Sequence, residues 1–114
     1  MMLVPAAVLL LTVAAASLPV TRAFAQDEDN VEQMIENAKT PSDYEAIAAY
    51  YDKKGAQAEK QLEWHQKLYK TYQQNPRLST MQMHCHRLIS LYKAEAREDK
   101  VMADQYRHMA KQAK

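Results

Sequence analysis

Five potential metal ligands occupy six consecutive positions at residues 81–86, which read MQMHCH. Thioether, imidazole and thiolate groups together suit a soft ion such as Cu(I). In a helix, residues three and four apart lie side by side, so Met81, His84 and Cys85 form one cluster. This spacing predicts a candidate site for a soft metal, made of one methionine, one histidine and the only cysteine of the chain.

The other potential ligands do not add to this cluster within one chain. Met83 and His86 are also neighbours, but on a helix they point to another side, and we expect them at the surface. Zinc suits the cluster less well than Cu(I), because methionine rarely binds zinc and a fourth protein ligand would be needed. His65 is the obvious additional ligand. Within one chain, however, the expected register places His65 near residue 89, and its side chain leans away from Cys85. Only a second chain would bring His65 to the cluster.

Structural explanations for the same residues remain open. A cysteine on an apolar helix face often acts as a small buried hydrophobic residue, and methionines often fill gaps in a core. In an oxidising compartment Cys85 could instead link two chains through a disulfide. Axial haem ligation by His65 or His84 is a further alternative, but no motif supports it, and the C-x-x-C-H motif for covalent haem attachment is absent.

Other classes of function fit the sequence less well. The single cysteine cannot form a dithiol redox pair, no glycine-rich phosphate loop is present, and no carboxylate pair is placed in a credible cleft. Residues 26–114 carry equal numbers of basic and acidic side chains, which argues against a nucleic-acid partner. We therefore expect a protein that is not an enzyme.

Residues 1–25 have the character of an export signal. Residues 1–20 carry no charged side chain, and the small-x-small sequence AFA at residues 23–25 fits signal cleavage. We therefore predict cleavage after Ala25 and a periplasmic or secreted protein with no membrane association after cleavage. The apolar run approaches the ~20 residues that span a bilayer, so an uncleaved anchor in the inner membrane is the alternative.

The chemistry of the cluster depends on the helices that carry it. The composition favours helices, and no strand pattern is present. Residues 26–30 form a polar lead-in, and Asn30 is the predicted N-cap of a short helix. The apolar stripe of that helix consists of Val31, Met34, Ile35 and Ala38.

A long helix is predicted to follow from Thr40, its N-cap. Pro41 is suited to the first helical position, and Asp43 places a carboxylate in the first turn. Apolar and small residues then recur at alternating spacings of four and three. This first seam consists of Tyr44, Ala48, Tyr51, Gly55, Ala58, Leu62, His65, Tyr69 and Tyr72. Because the pattern continues unchanged across Gly55, we predict that the helix does not end at this glycine.

A second long helix is predicted after the sequence NPR at residues 75–77. Ser79 and Gln82 have the spacing of a capping box for it. Its apolar pattern is interrupted by Glu95 and Asp99. The predicted second seam consists of Met81, Cys85, Leu88, Tyr92, Ala96, Met102, Tyr106, Met109 and Ala113.

Two long helices joined by a short turn predict an all-α fold, an antiparallel helical hairpin with the short N-terminal helix folded over its open end. Several apolar side chains lie beside the seams, where the hairpin alone would leave them exposed. They are Ile47, Tyr50, Trp64, Leu68, Ile89 and Leu91. Burial of this surface favours a homodimer that forms a four-helix bundle, while cover by the short helix is the alternative.

Three segments resemble a family of small exported bacterial helical proteins that has no assigned activity: TPSDYEAIAAYYDKKGAQAEKQLEWHQKLY, MQMHCHRLI and YRHMAK. The shared pattern is A-x-Y-Y, then a histidine, then M-x-x-H-C. It maps onto Tyr50, Tyr51, His65, Met81, His84, Cys85 and Met109. The final element departs from the pattern, because its histidine, His108, stands one place later than in the family. The resemblance implies the helical fold and the exported location.

The sequence thus predicts one helical domain, residues 31–114, behind a cleaved signal and a polar lead-in. The first functional hypothesis is a periplasmic protein that binds Cu(I) through Met81, His84 and Cys85. The alternative is a structural or interaction module without a ligand, whose partner is a second copy or another periplasmic protein.

Overall fold

A computed structural model describes residues 20–113 of the chain, and side chains are described for residue 28 and residues 30–113. The elements in chain order are α1 (Val20–Asn37), α2 (Pro41–Gln73), a 3₁₀ turn (Pro76–Leu78) and α3 (Ser79–Gln112). The two long helices α2 and α3 pack against each other, and α1 packs against α2. The predicted all-α helical hairpin is therefore confirmed.

Helix α1 begins earlier than the sequence pattern indicates. It includes residues 26–30, predicted as a lead-in, so the proposed N-cap Asn30 lies inside the helix. Most of the predicted signal peptide, residues 1–19, lies outside the described residues. Within the part of the chain that the structure describes, no helix is both long enough and apolar enough to cross a membrane.

The start of α2 follows the prediction. The Asp43 backbone N–H donates to Thr40 Oγ1 at 3.2 Å, and the Thr40 N–H donates to Asp43 Oδ2 at 2.9 Å. These two bonds complete a capping box. The Lys39 N–H also donates to Asp43 Oδ2 at 3.0 Å. The bonds from Lys39 and Thr40 lower the pKa of the Asp43 carboxyl, because they stabilise its charged form.

The predicted start of α3 is wrong. Leu78 is the N-cap residue and makes no side-chain capping bond, so Ser79 and Gln82 do not form a capping box. The 3₁₀ turn takes over this role. Its N-cap Asn75 accepts from the Arg77 N–H through Oδ1 at 3.2 Å and from the Leu78 N–H through its carbonyl at 2.9 Å. Since the turn runs directly into α3, Ser79 is already helical and no longer occupies a capping position.

Small residues and stacked rings fill the interface between α2 and α3. Every member of the first seam is buried or half-buried, which confirms this stripe. The buried apolar residues of the described chain are Val31, Ile47, Ala48, Ala58, Cys85, Ala103 and Ala110. Between the small residues, Tyr51 stacks on Tyr106 with ring centroids 5.8 Å apart. The interface is therefore narrow, and alanine rather than leucine sets the distance between the helices.

The predicted second seam is confirmed only in part, because Tyr106 and Ala113 are half-buried but its first residue, Met81, is 50% exposed. Cys85, Leu88, Tyr92 and Ala96 are buried or half-buried, as expected. Beyond them Met102 and Met109 are exposed, while Ala103 and Ala110 are buried in their place. Asp99, predicted to interrupt the seam, is instead part of it. The heptad pattern of α3 therefore continues through the buried carboxylate of Asp99. The long side chains of Met102 and Met109 lie at the exposed edge of the interface with α2.

The two helices approach each other closely at Gly55. A Cβ atom placed on Gly55 would lie 3.3 Å from Asp99 Cβ, which is tighter than an ordinary contact. Asp99 is 6% exposed, and its Oδ2 atom has no hydrogen-bond partner among the described residues. Burial raises the pKa of this carboxyl, Lys54 opposes the rise, and Glu95 adds to it. The glycine thus permits an approach that buries a carboxylate.

We expect Asp99→Asn to raise the free energy of unfolding at neutral pH, because it removes the charge that burial disfavours. A raised folded-state pKa means that the native state binds the proton more tightly. The contribution of Asp99 to the free energy of unfolding is therefore favourable below its ordinary pKa of 3.8. This contribution is lost as the pH rises through the pKa that Asp99 has in the folded state. The advantage of the variant should be full near pH ~7 and shrink below pH ~4.

Urea unfolding followed by circular dichroism at several pH values measures this difference. Glu98→Gln, one residue earlier on the exposed side, is the matched control and should not show the same pH dependence. An advantage of Asp99→Asn that stays constant from acid to neutral pH would contradict the assignment.

Candidate functional site

The segment of residues 81–86 lies in the first two turns of α3, next to the 3₁₀ turn. Its donors face different surroundings. Cys85 is 4% exposed and lies in the interface with α2. Met81 and His84 are exposed to solvent. The helical spacing that made these three residues neighbours is present, but the thiol is buried while the other two side chains lie at the surface.

The set of donors is mixed rather than typical of zinc. Among the described residues, no three histidine, cysteine, aspartate or glutamate side chains come together in a group that could hold a metal ion. The thioether of Met81 would therefore have to contribute to any site that includes His84 and Cys85. Such a set favours a soft ion that accepts few ligands.

His65 packs against α3 some distance from Cys85. Its ring stacks on Tyr92, with centroids 5.4 Å apart and planes 10° from parallel. Tyr92 lies two helical turns beyond Cys85, about 10 Å along the axis at ~1.5 Å per residue. The Nδ1 atom of His65 is buried without a hydrogen-bond partner. Within one chain, His65 thus belongs to the ring layers of the interface rather than to the cluster.

Met83 and His86 line a cavity of about 410 Å³ at the turn end of the hairpin. The cavity is lined by Tyr69, Ser79, Gln82, Met83, His86 and Arg87. Met83 is 58% exposed, and the His86 ring lies 6.1 Å from the Tyr69 ring, centroid to centroid, with a tilt of 43°. The sequence correctly indicated an exposed pair but did not indicate this cavity.

A sequence signal for this contact existed. The expected register placed residue 69 opposite residue 85, and residue 86 is the next position towards the edge of the interface. Applied to the first seam, which contains Tyr69, this register places the Tyr69 ring beside His86. The spacing of Met83 and His86 within α3 does not by itself indicate this ring contact with α2.

The tyrosines of the A-x-Y-Y pattern lie at the other end of the hairpin. Tyr50 and Tyr51 meet edge to face with centroids 5.1 Å apart, and Tyr51 stacks on Tyr106. Burial raises the pKa of the Tyr106 hydroxyl, and Tyr51 and Tyr44 add to the rise. On the outer edge nearby, Arg107 forms salt bridges with Asp52 and Asp104. The Tyr51–Tyr106 stack and the Arg107–Asp52 salt bridge join α2 to α3.

A second groove, of about 430 Å³, lies beside the middle of α2. It is an open groove whose charged lining includes Glu28, Lys54, Lys60 and Glu95. Its lining contains both acidic and basic side chains, so the groove does not present one sign of charge that would select a ligand. The soft donors near the turn remain the more specific chemical feature.

No protein-family model matches the chain, and no curated protein or solved structure is found to be similar to it. Function must therefore be inferred from the side chains and their positions.

We expect the Cys85 thiol to react slowly with a water-soluble disulfide reagent in the folded protein, because it is 4% exposed. The reaction should become fast in denaturing urea. Stopped-flow absorbance of the released thiolate measures both rates. A Ser90→Cys, Cys85→Ala double variant places the thiol at an exposed position of the same helix and should react rapidly in both conditions. Equal rates for the native and unfolded wild-type protein would contradict the buried position of Cys85.

Proposed function

We propose that this chain is an exported, non-enzymatic helical protein that binds a soft metal ion such as Cu(I) through Met81, His84 and Cys85. The observation that carries the proposal is that the buried Cys85 thiol lies one helical turn after the exposed Met81 and next to the exposed His84. Export rests on the features of residues 1–25 described above.

The buried thiol has a defined part in this proposal. A cysteine binds a metal as the thiolate, so binding releases one proton from Cys85 to water. Met81 and His84 meet the incoming ion first because they are exposed. The thiol then reaches the ion by a rotation about its side-chain bond or by a local opening of the seam beside the turn. The metal therefore competes with the packing of Cys85 against α2.

The signal-cleaved protein should bind Cu(I) with a thiolate-dependent affinity, at about one tight equivalent per chain. Competition with a chromogenic Cu(I) chelator under anaerobic reducing conditions measures this affinity. Cys85→Ala should abolish tight binding, and His84→Ala should weaken it. His108→Ala is the matched control, because His108 is exposed on the same helix far from the cluster. Absence of tight binding, or tight binding that survives Cys85→Ala, would contradict the proposal.

A second candidate function is self-association through an exposed apolar surface. Trp64 is 55% exposed and Leu91 is 64% exposed. The stack of His65 on Tyr92 fixes the register of α2 against α3. In an antiparallel pair, the residues just before two facing positions lie on the same side, so Trp64 and Leu91 share one face and one level. We infer that a second copy of the chain covers this face, as in a four-helix bundle.

Sedimentation equilibrium of the wild-type protein should then show dimers, and Leu91→Glu should shift the population to monomers. The reason is that a charge buried at the centre of such an interface lacks a partner. Val101→Glu is the control, because Val101 is exposed about 80° around α3 from Leu91 and ten residues, about 15 Å, farther along the helix axis. A wild-type protein that remains monomeric at high concentration would exclude this candidate, and it would leave the metal proposal unaffected.

A further inference from the structure

We propose that Met83 and His86 form a second soft-metal site, separate from Met81, His84 and Cys85 and independent of the thiol. The site lies in the cavity at the turn end of the hairpin, beside the Tyr69 ring. Its ligands are one thioether and one imidazole, and the ions it suits are Cu(I) and Ag(I), which accept two soft donors in a nearly linear arrangement.

The two donors are on one face of α3. Met83 and His86 are three residues apart, so their side chains are neighbours. The pair repeats the spacing of Met81 and His84 two positions later. Two residues correspond to about 200° of rotation around the helix at ~3.6 residues per turn, so the two pairs face nearly opposite directions. One metal ion therefore cannot bind both pairs of the same helix.

The cavity supplies what a bare pair on a helix surface lacks. The Tyr69 ring of α2 contacts the imidazole of His86, with centroids 6.1 Å apart. This contact places a ring of α2 beside the imidazole, while His86 remains exposed to an incoming ion. Met83 is 58% exposed although it lines the same cavity, so its thioether is available to an incoming ion.

The lining of the cavity also selects between kinds of metal. No carboxylate is among its lining residues, so Ca²⁺, Mg²⁺ and other hard cations find no preferred ligands there. Binding of a soft ion requires a neutral imidazole and releases no proton from the thioether.

Arg87 is the one formal charge among the lining residues, and it opposes a bound cation. The site should consequently be weaker than one that includes a thiolate. The positive charge of Arg87 therefore allows a test of whether the bound ion is a cation or an anion. Replacing Arg87 by glutamine should strengthen the binding of a cation and weaken the binding of an anion.

The experiment uses the full mature chain carrying Cys85→Ala, which removes the thiolate of the first cluster. Silver nitrate in chloride-free buffer is the probe, and isothermal titration and the NMR signals of the methionine methyl groups are the readouts. We expect one equivalent of Ag(I) to bind and the Met83 methyl signal to shift. In this background His86→Ala should weaken binding by ~10-fold or more. Arg87→Gln should strengthen binding.

The matched control combines Met81→Ala and His84→Ala with Cys85→Ala. This triple variant should still bind one equivalent of Ag(I) per chain. Circular dichroism of each variant establishes that the helices are retained. The proposal is overturned if the Cys85→Ala protein binds no Ag(I), if His86→Ala leaves binding unchanged, or if Arg87→Gln weakens it. None of these outcomes bears on tight Cu(I) binding by the wild-type thiol, so the two sites succeed or fail separately.

Discussion

The close approach of α2 and α3 is the constraint on which the rest of the molecule depends. Gly55 and a series of alanines allow the helices to meet at short distance, and no larger residue would fit opposite Asp99 without displacing it. Since the chain has one cysteine and no internal disulfide can form, this packing is the main source of cohesion in the hairpin. Small residues alone define the register of α2 against α3 only loosely. The ring stacks of Tyr51 on Tyr106 and of His65 on Tyr92 then set this register.

A narrow interface determines where chemistry can take place. Helices this close leave no deep interior cavity between them, so functional side chains must lie along the edges or near the turn. The donors of residues 81–86 meet this condition in different ways, with Cys85 inside the seam and Met83 and His86 in the cavity beside Tyr69. A polar group that does enter the interface, such as Asp99, loses its water, and its Oδ2 atom has no hydrogen-bond partner among the described residues.

Local rules predicted the features that local energies determine. The Thr40 capping box and the unbroken helix through Gly55 follow from a few neighbouring residues, and both are present. Predictions that needed the partner helix were less successful. Met102 and Met109 appear better suited to a core than Ala103 and Ala110, yet the alanines are buried. Side-chain hydrophobicity favoured the methionines, but the distance between the helices excluded them.

By itself the sequence determined the helical hairpin, the start of α2, the first seam and the candidate donors, because periodicity, capping and spacing act within one helix. Only the tertiary structure decided which of those donors are buried, which tyrosine lies beside His86, and that Asp99 belongs to the seam. The physical reason is that burial depends on the register and separation of two helices. These quantities are set by the summed packing of both surfaces rather than by either pattern alone.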